Sequence, residues 1–198
     1  RGIAIQNHKL AAALANIAGM VSWGYCWSWS ADLAWPAGGP SLREWDSSGI
    51  HYVPMVWGED RLDAAENEFM AGRTALLGFN EPNFHDQANL SPERAAALWP
   101  RLEQLAVQLG VQKLVSPALN FNTYHPADWL ARFFEVCSGC RVDAIALHSY
   151  TCHGKYLKDH LDIYRVFGKP LWLTEFACSD WGSPERLNLE GQMAYMRE

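Results

Sequence analysis

The chain has 198 residues and carries 16 Lys and Arg against 22 Asp and Glu, a formal charge of −6. That mild acidity argues against nucleic acid or an anionic membrane surface as partner, and the sequence contains no eighteen-residue apolar run to span a bilayer. Five cysteines exclude a disulfide-dense miniprotein, and 49% hydrophobic with 19% charged residues is the composition of one globular domain over residues 1–198.

Seven apolar runs read as strands: Gly2–Gln6, Gly19–Tyr25, Tyr52–Trp57, Ala75–Phe79, Lys113–Leu119, Asp143–His148 and Leu171–Thr174. Most lack polar alternation, as parallel strands buried on both faces do. Helical patterns lie between them. "NHKLAAALANI" follows the first run, with Asn7 as N-cap. "SPERAAALWPRLEQLAVQLG" follows the fourth, where Ser91 caps, Pro92 takes the first helical position and Gly110 stops the helix. "ADWLARFFEVC" follows the fifth, "YLKDHLDIYRVFG" the sixth and "NLEGQMAYMRE" the seventh. Repeated strand–helix alternation means a parallel sheet. With no dinucleotide glycine fingerprint after the first strand, the pattern predicts an α/β chain of the (β/α)8 TIM type rather than a doubly wound sheet.

Barrel enzymes place their chemistry at the C-terminal strand ends. Here those ends carry Trp23, Tyr25, Trp27 and Trp29, then Trp57, Asn80-Glu81, Asn120 and Asn122, His148 and Tyr150, and finally Glu175. Alone, Asn80-Glu81-Pro82 reads as a turn with a solvated acid, and Glu175 as a strand-end ion pair. Together, on the fourth and seventh strands, the two acids suit a retaining glycosidase, whose carboxyl groups stand about 5 Å apart. One acid protonates the leaving oxygen and the other attacks the anomeric carbon. The two roles need opposite protonation states, so their surroundings must differ. Asn80 is placed to bond a sugar 2-hydroxyl, and Tyr150 or His148 to hold the nucleophile. The ten tryptophans are read as rings for stacking on sugars more than as core.

"VSWGYCWSW", "YVPMVWG", "LLGFNEPN", "LVSPALN", "AIALHSY" and "GKPLWLTEFAC", in this order along nearly the whole chain, resemble glycoside hydrolase family 128, small-barrel β-1,3-glucanases of clan A. The resemblance implies retaining hydrolysis of β-1,3-glucan, with Glu81 as acid/base and Glu175 as nucleophile. It implies that Asn80, His148 and Tyr150 surround the catalytic subsite, and that Trp23, Trp27, Trp57, Asn120 and Asn122 bind glucan. No cofactor is called for, and the partner is a β-1,3-glucan polysaccharide or oligosaccharide. Competing readings are a β-1,4-glycanase using the same two acids, a glucan-binding module without turnover, and a metal-dependent barrel hydrolase.

Cys137 and Cys140 have a CxxC spacing without a second pair at zinc-finger distance, which leaves a local disulfide or free thiols. Cys152 and Cys178 follow neighbouring strands by similar offsets and form the other candidate disulfide, leaving Cys26 as a buried odd thiol. His148, His153 and His160 are spaced by five and seven residues, which does not align metal ligands on one helix face. A secreted or cell-surface location and a monomer are expected. A closed barrel needs eight strands and seven are visible, so the sequence predicts a piece of the functional unit, completed by a C-terminal segment from elsewhere.

Overall fold

The computed structural model describes residues 1–5, 14, 16–33, 41–67, 72–121, 124–178 and 193. Among them lie seven strands: β1 (Gly2–Ala4), β2 (Trp23–Tyr25), β3 (His51–Tyr52), β4 (Ala75–Leu77), β5 (Lys113–Val115), β6 (Ile145–Ser149) and β7 (Leu171–Phe176). Five α-helices connect them: α1 (Leu42–Ser48), α2 (Leu62–Asn67), α3 (Pro92–Leu109), α4 (Pro126–Val136) and α5 (Gly154–Tyr164). β1, β2 and β3 pair in parallel, as do β4 with β5 and β6 with β7. Parallel bridges at Met55–Leu77, Val115–Ala144 and Leu119–Leu147 join these groups, so the spatial order follows the chain order. β1 and β7 come within 8 Å at Cα without forming a ladder among the described residues.

Side-chain alternation divides the core into two layers. In β4, Ala75 and Leu77 face inward while Leu76 faces the helices; in β6, Ala146 faces inward while Ile145 and Leu147 face outward. The inner layer also takes Tyr25, Met55, Val115 and Ala144, with Trp172 packed against it, so the sheet curls around one cluster. Burial on both faces explains the unbroken apolar runs. The outer layer is anchored by Trp99 of α3, fully buried against Phe79 and Phe133, with its indole N–H donating to the Arg141 carbonyl at 2.9 Å. Removing such a side chain costs about 3–5 kcal/mol. At Gly78 a Cβ would sit 3.0 Å from the Ser116–Pro117 backbone and from Trp99, so glycine is what lets β4 and β5 close together under this helix.

Several expectations are corrected. Most strands are shorter than the apolar runs, although β7 continues past Thr174 to Phe176: Gly19 lies in a turn at φ +82°, and β2 begins only at Trp23. Helices α1 and α2 have no counterpart in the sequence reading, although Ser41 and Glu44 form a complete capping box at the start of α1 and Gly49 ends it at φ 76°. Seven and six residues are too few to display a helical period. For α3 the Ser91 hydroxyl accepts from the Arg94 N–H, Pro92 sits in the first turn and Gly110 adopts φ 66°. The Asn7 cap and nearly all of the C-terminal helical pattern lie outside the described residues. The tryptophan surplus is mostly core: Trp29, Trp45, Trp99 and Trp129 are buried, and Trp23 and Trp172 stack at 5.1 Å against the inner cluster.

Candidate active site

The apolar run of β4 ends in polar residues because the ladder outlasts the strand. The Asn80 N–H donates to the Trp57 carbonyl and the Glu81 N–H to the Ala118 carbonyl, both at 2.9 Å. Pro82 has no N–H to offer, so pairing stops there. Glu81 is thus pinned from behind while its own backbone is forced to φ 38°, a left-handed conformation that costs a non-glycine residue about 1–2 kcal/mol. Trp27 shares this conformation at φ 53°. Among the described residues only Asn89 joins them. Two of the three strained positions therefore carry side chains of one cleft.

Glu175 arrives by a different device. Along β6 and β7, Leu147 pairs with Leu173, but His148 pairs with Glu175, so Thr174 is an extra residue in β7. Simple alternation from inward Trp172 would turn Glu175 toward the helices. The bulge at Thr174 resets the phase and points Glu175 inward. The Thr174 hydroxyl donates to the Leu147 carbonyl at 3.3 Å, and its own carbonyl accepts from the Tyr25 hydroxyl at 3.2 Å.

The two carboxylates meet around His148, which is fully buried. His148 Nδ1 lies 2.8 Å from Glu81 Oε1. His148 Nε2 lies 3.3 Å from Glu175 Oε1 but out of hydrogen-bond alignment. One oxygen of each acid and one imidazole nitrogen all fall within 4.8 Å of one another. The surroundings of the acids are unequal. Glu175 Oε1 accepts from the Trp27 indole N–H at 2.5 Å and the Tyr25 hydroxyl at 3.1 Å, and its Oε2 accepts from the Tyr150 hydroxyl at 2.5 Å. Glu81 Oε1 accepts from the Asn120 amide at 3.3 Å. Burial first, then the Glu175 charge, pushes the Tyr25 and Tyr150 hydroxyls well above the usual phenol range, so both remain donors at any working pH. Glu81, His148 and Glu175 are also the one group of described side chains able to converge on a metal ion. Three donors already take three of the about four lone-pair sites on Glu175.

Above this triad opens a cleft of about 630 Å³, lined by Trp27, Trp57, Asn80, Glu81, Tyr150 and Glu175 among others. The Asn80 amide donates to Gln87 Oε1 at 2.9 Å, and its own Oδ1 is buried without a partner among the described residues. Asn120 lines the same cleft. Trp23 does not reach it, being held in the inner layer by Trp172. Asn122 lies outside the described residues. Among the described histidines, His160 lines the cleft and His148 lies between the two acids. Tyr25, Ser149 and His160 also belong to the site, although the sequence offers Tyr25 only as a strand-end residue and His160 only within the histidine set weighed for metal. Tyr25 was legible as a strand-end residue two positions from Trp27, whereas Ser149 and His160 carry no motif.

Disulfides join Cys137 to Cys140 and Cys152 to Cys178. The second ties the loops after β6 and β7, just beyond Tyr150 and Glu175. Cys26 is a buried thiol 3.2 Å from the Tyr52 hydroxyl, and burial pushes it up to about 11.

Residues 2–198 match the family described as glycosyl hydrolase catalytic core. The chain is similar to a solved endo-β-1,3-glucanase of glycoside hydrolase family 128, subgroup II, from Sorangium cellulosum. Identity is 40%, coverage is 99% of this chain and 79% of that one, and the TM-score is 0.80. It is also similar to a subgroup II endo-β-1,3-glucanase from Pseudomonas viridiflava, at 34% identity over 99% of this chain and 78% of the other, with a TM-score of 0.72. Among curated proteins it is similar to alkali-sensitive linkage protein 1 of Schizosaccharomyces pombe, at 33% identity over 164 residues. That match takes in 81% of this chain and spans only 28% of the length of the fission-yeast protein. A catalytic-core match over almost the whole chain, and 40% identity to a structure of which it covers most, show that the chain is a glycoside hydrolase belonging to family 128.

Proposed function

We propose that the chain is a retaining endo-β-1,3-glucanase that works by double displacement on Glu81 and Glu175. The observation that carries the reading is the carboxylate pair held within 4.8 Å across His148. This is the short separation of retaining enzymes, too close for the water that an inverting pair admits. The β-1,3 linkage is taken from the two solved relatives. In the first step a Glu175 oxygen attacks the anomeric carbon, the bond to the leaving oxygen breaks, and Glu81 delivers its proton to that oxygen. In the second, Glu81 takes a proton from water, whose oxygen attacks the same carbon and releases Glu175. Three donors on Glu175 fix its aim, which suits the nucleophile. Glu81 has one amide and one imidazole contact, both at Oε1. An imidazole can offer one N–H and one lone pair, which suits the place of His148 between two acids with different roles. Trp27 and Trp57 offer ring faces to the sugars, and Asn80 Oδ1 takes a sugar hydroxyl.

Product stereochemistry tests this directly. Proton NMR of fresh laminarin digests should show the β-anomer first, and Glu175→Gln should abolish turnover while retaining oligosaccharide binding. Initial α-anomer, or wild-type-like hydrolysis by the variant, would refute the assignment. Laminarin against cellulose and mannan separates the β-1,3 from the β-1,4 reading.

Two disulfides suit an oxidising compartment, and no described helix is long and apolar enough to cross a membrane. A secreted or cell-surface monomer follows as part of the proposal. So does a (β/α)8 barrel closed by an eighth strand at the seam between β7 and β1. A single active, monomeric species of 22.3 kDa would show that the seven strands suffice.

A further inference from the structure

Among the described residues, His160 is 1% exposed, yet neither ring nitrogen has a hydrogen-bond partner. Ser149 is fully buried, and its hydroxyl oxygen is equally unpartnered. Both residues line the cleft. In β6 the side chains of Ile145 and Leu147 face the helices and that of Ala146 faces inward, so alternation puts Ser149 on the side of α5, which carries His160. The imidazole is fixed by rings: Phe121 lies 4.2 Å away by centroids and Tyr164 5.4 Å. Tyr164 is fully buried, whereas Phe121 is 47% exposed and lines the cleft together with His160.

Buried polar atoms normally find partners, and here three of them on two neighbouring elements have none. We infer that Ser149 and His160 form a recess at the edge of the cleft that binds a hydroxyl of a substrate sugar once the Phe121 ring turns aside. A carbohydrate hydroxyl is both donor and acceptor, as are a serine and a neutral imidazole, so one hydroxyl satisfies both. The chemistry excludes an anion: burial, with His125 and His148 adding to it, pushes the His160 imidazole down to about 4, so the recess is uncharged at neutral pH. Phe121, displaced from the imidazole, becomes a face against which the same sugar packs. The inference rests on the reading of the cleft as a glucan site.

The test uses the full chain carrying Glu175→Gln and laminaritriose as probe. Calorimetry gives the affinity, and ¹⁵N spectra of the histidine rings follow His160. The expected result is a His160 ring shift that saturates with the calorimetric dissociation constant. Adding His160→Phe, which keeps the ring stacking, should weaken binding about 3- to 10-fold, the size of one neutral hydrogen bond. Ser149→Ala gives a second reading of the same size, should His160→Phe fail to fold. Laminaritriose binding with a static His160 resonance and unaltered affinity in the variants overturns the recess and leaves the glucan reading intact. No laminaritriose binding, before any change at 149 or 160, overturns both.

Discussion

Acidification should reveal the burial of His160 as a loss of stability that a single substitution removes. The imidazole moves from 6.5 down to about 4 in the folded chain, first because burial disfavours its charge and then because His125 and His148 face it. The difference, 6.5 − 4 = 2.5 pH units, is worth about 3 kcal/mol at roughly 1.4 kcal/mol per unit. Its place at the cleft edge admits some water and reduces this to about 2 kcal/mol. The sign follows from proton counting. Between pH 6.5 and 4 the unfolded chain holds a proton on His160 that the folded chain does not, so stability falls as pH falls through this window. Above it there is no penalty, and below it the penalty is complete. The variant His160→Phe keeps the stacking with Phe121 and Tyr164 and cannot titrate. Urea unfolding by tryptophan fluorescence at pH 7, 5.5 and 4, in wild type and variant, isolates the contribution from that of the carboxylates, which both chains share. The variant should gain about 2 kcal/mol on the wild type between pH 7 and 4. Two stability curves that stay parallel across this range would refute the reasoning.

Three other outcomes follow from the site. Glu81→Ala should slow laminarin hydrolysis strongly while sparing aryl glycosides with good leaving groups, which need little protonation; equal losses on both substrates would remove Glu81 from the acid role. Trp27→Ala and Trp57→Ala should each weaken glucan binding by ~1–2 kcal/mol through lost ring contact, with Trp27→Ala also lowering turnover because its indole holds Glu175; equilibrium titration of both variants decides. Replacing Cys152 and Cys178 together by serine frees a crosslink over a sequence separation of 26 and should cost about 3–4 kcal/mol in chemical denaturation, since loop closure is then lost from the unfolded chain.

The sequence makes legible whatever rests on local chemistry. The order of parallel strands shows in apolar runs without alternation, because both sheet faces are covered. The limits of α3 show in Ser91, Pro92 and Gly110, because capping is a matter of adjacent residues. Glu81 shows because Pro82 marks where the ladder must end. What depends on distant partners is not legible. Tyr25 joins the site only through Glu175, 150 residues away, and His148 touches both acids only once the sheet curls. Trp23 and Trp57 look alike as strand-end tryptophans, yet Trp172 takes one into the inner layer and leaves the other at the cleft. Short helices such as α1 offer less than two full turns of periodicity, and only the capping box betrays them.

The extra residue in β7 makes register, rather than identity, the critical property of this strand. Thr174 contributes little chemistry of its own, and many side chains would fill its place. Were the ladder to close over it, with Thr174 paired opposite His148, Glu175 would move one step on, to the side of the sheet that faces the helices. Deleting Thr174 and closing the ladder would leave the glutamate opposite His148 on the inner face, whereas that one-step slip would silence a chain whose acids, rings and cysteines are all still present. Recombination or grafting between relatives has the same blind spot. A splice point inside β7 must preserve the register of Glu175 against His148, and a scan of single-residue insertions should tolerate the loop before Leu171 better than any position between Trp172 and Glu175.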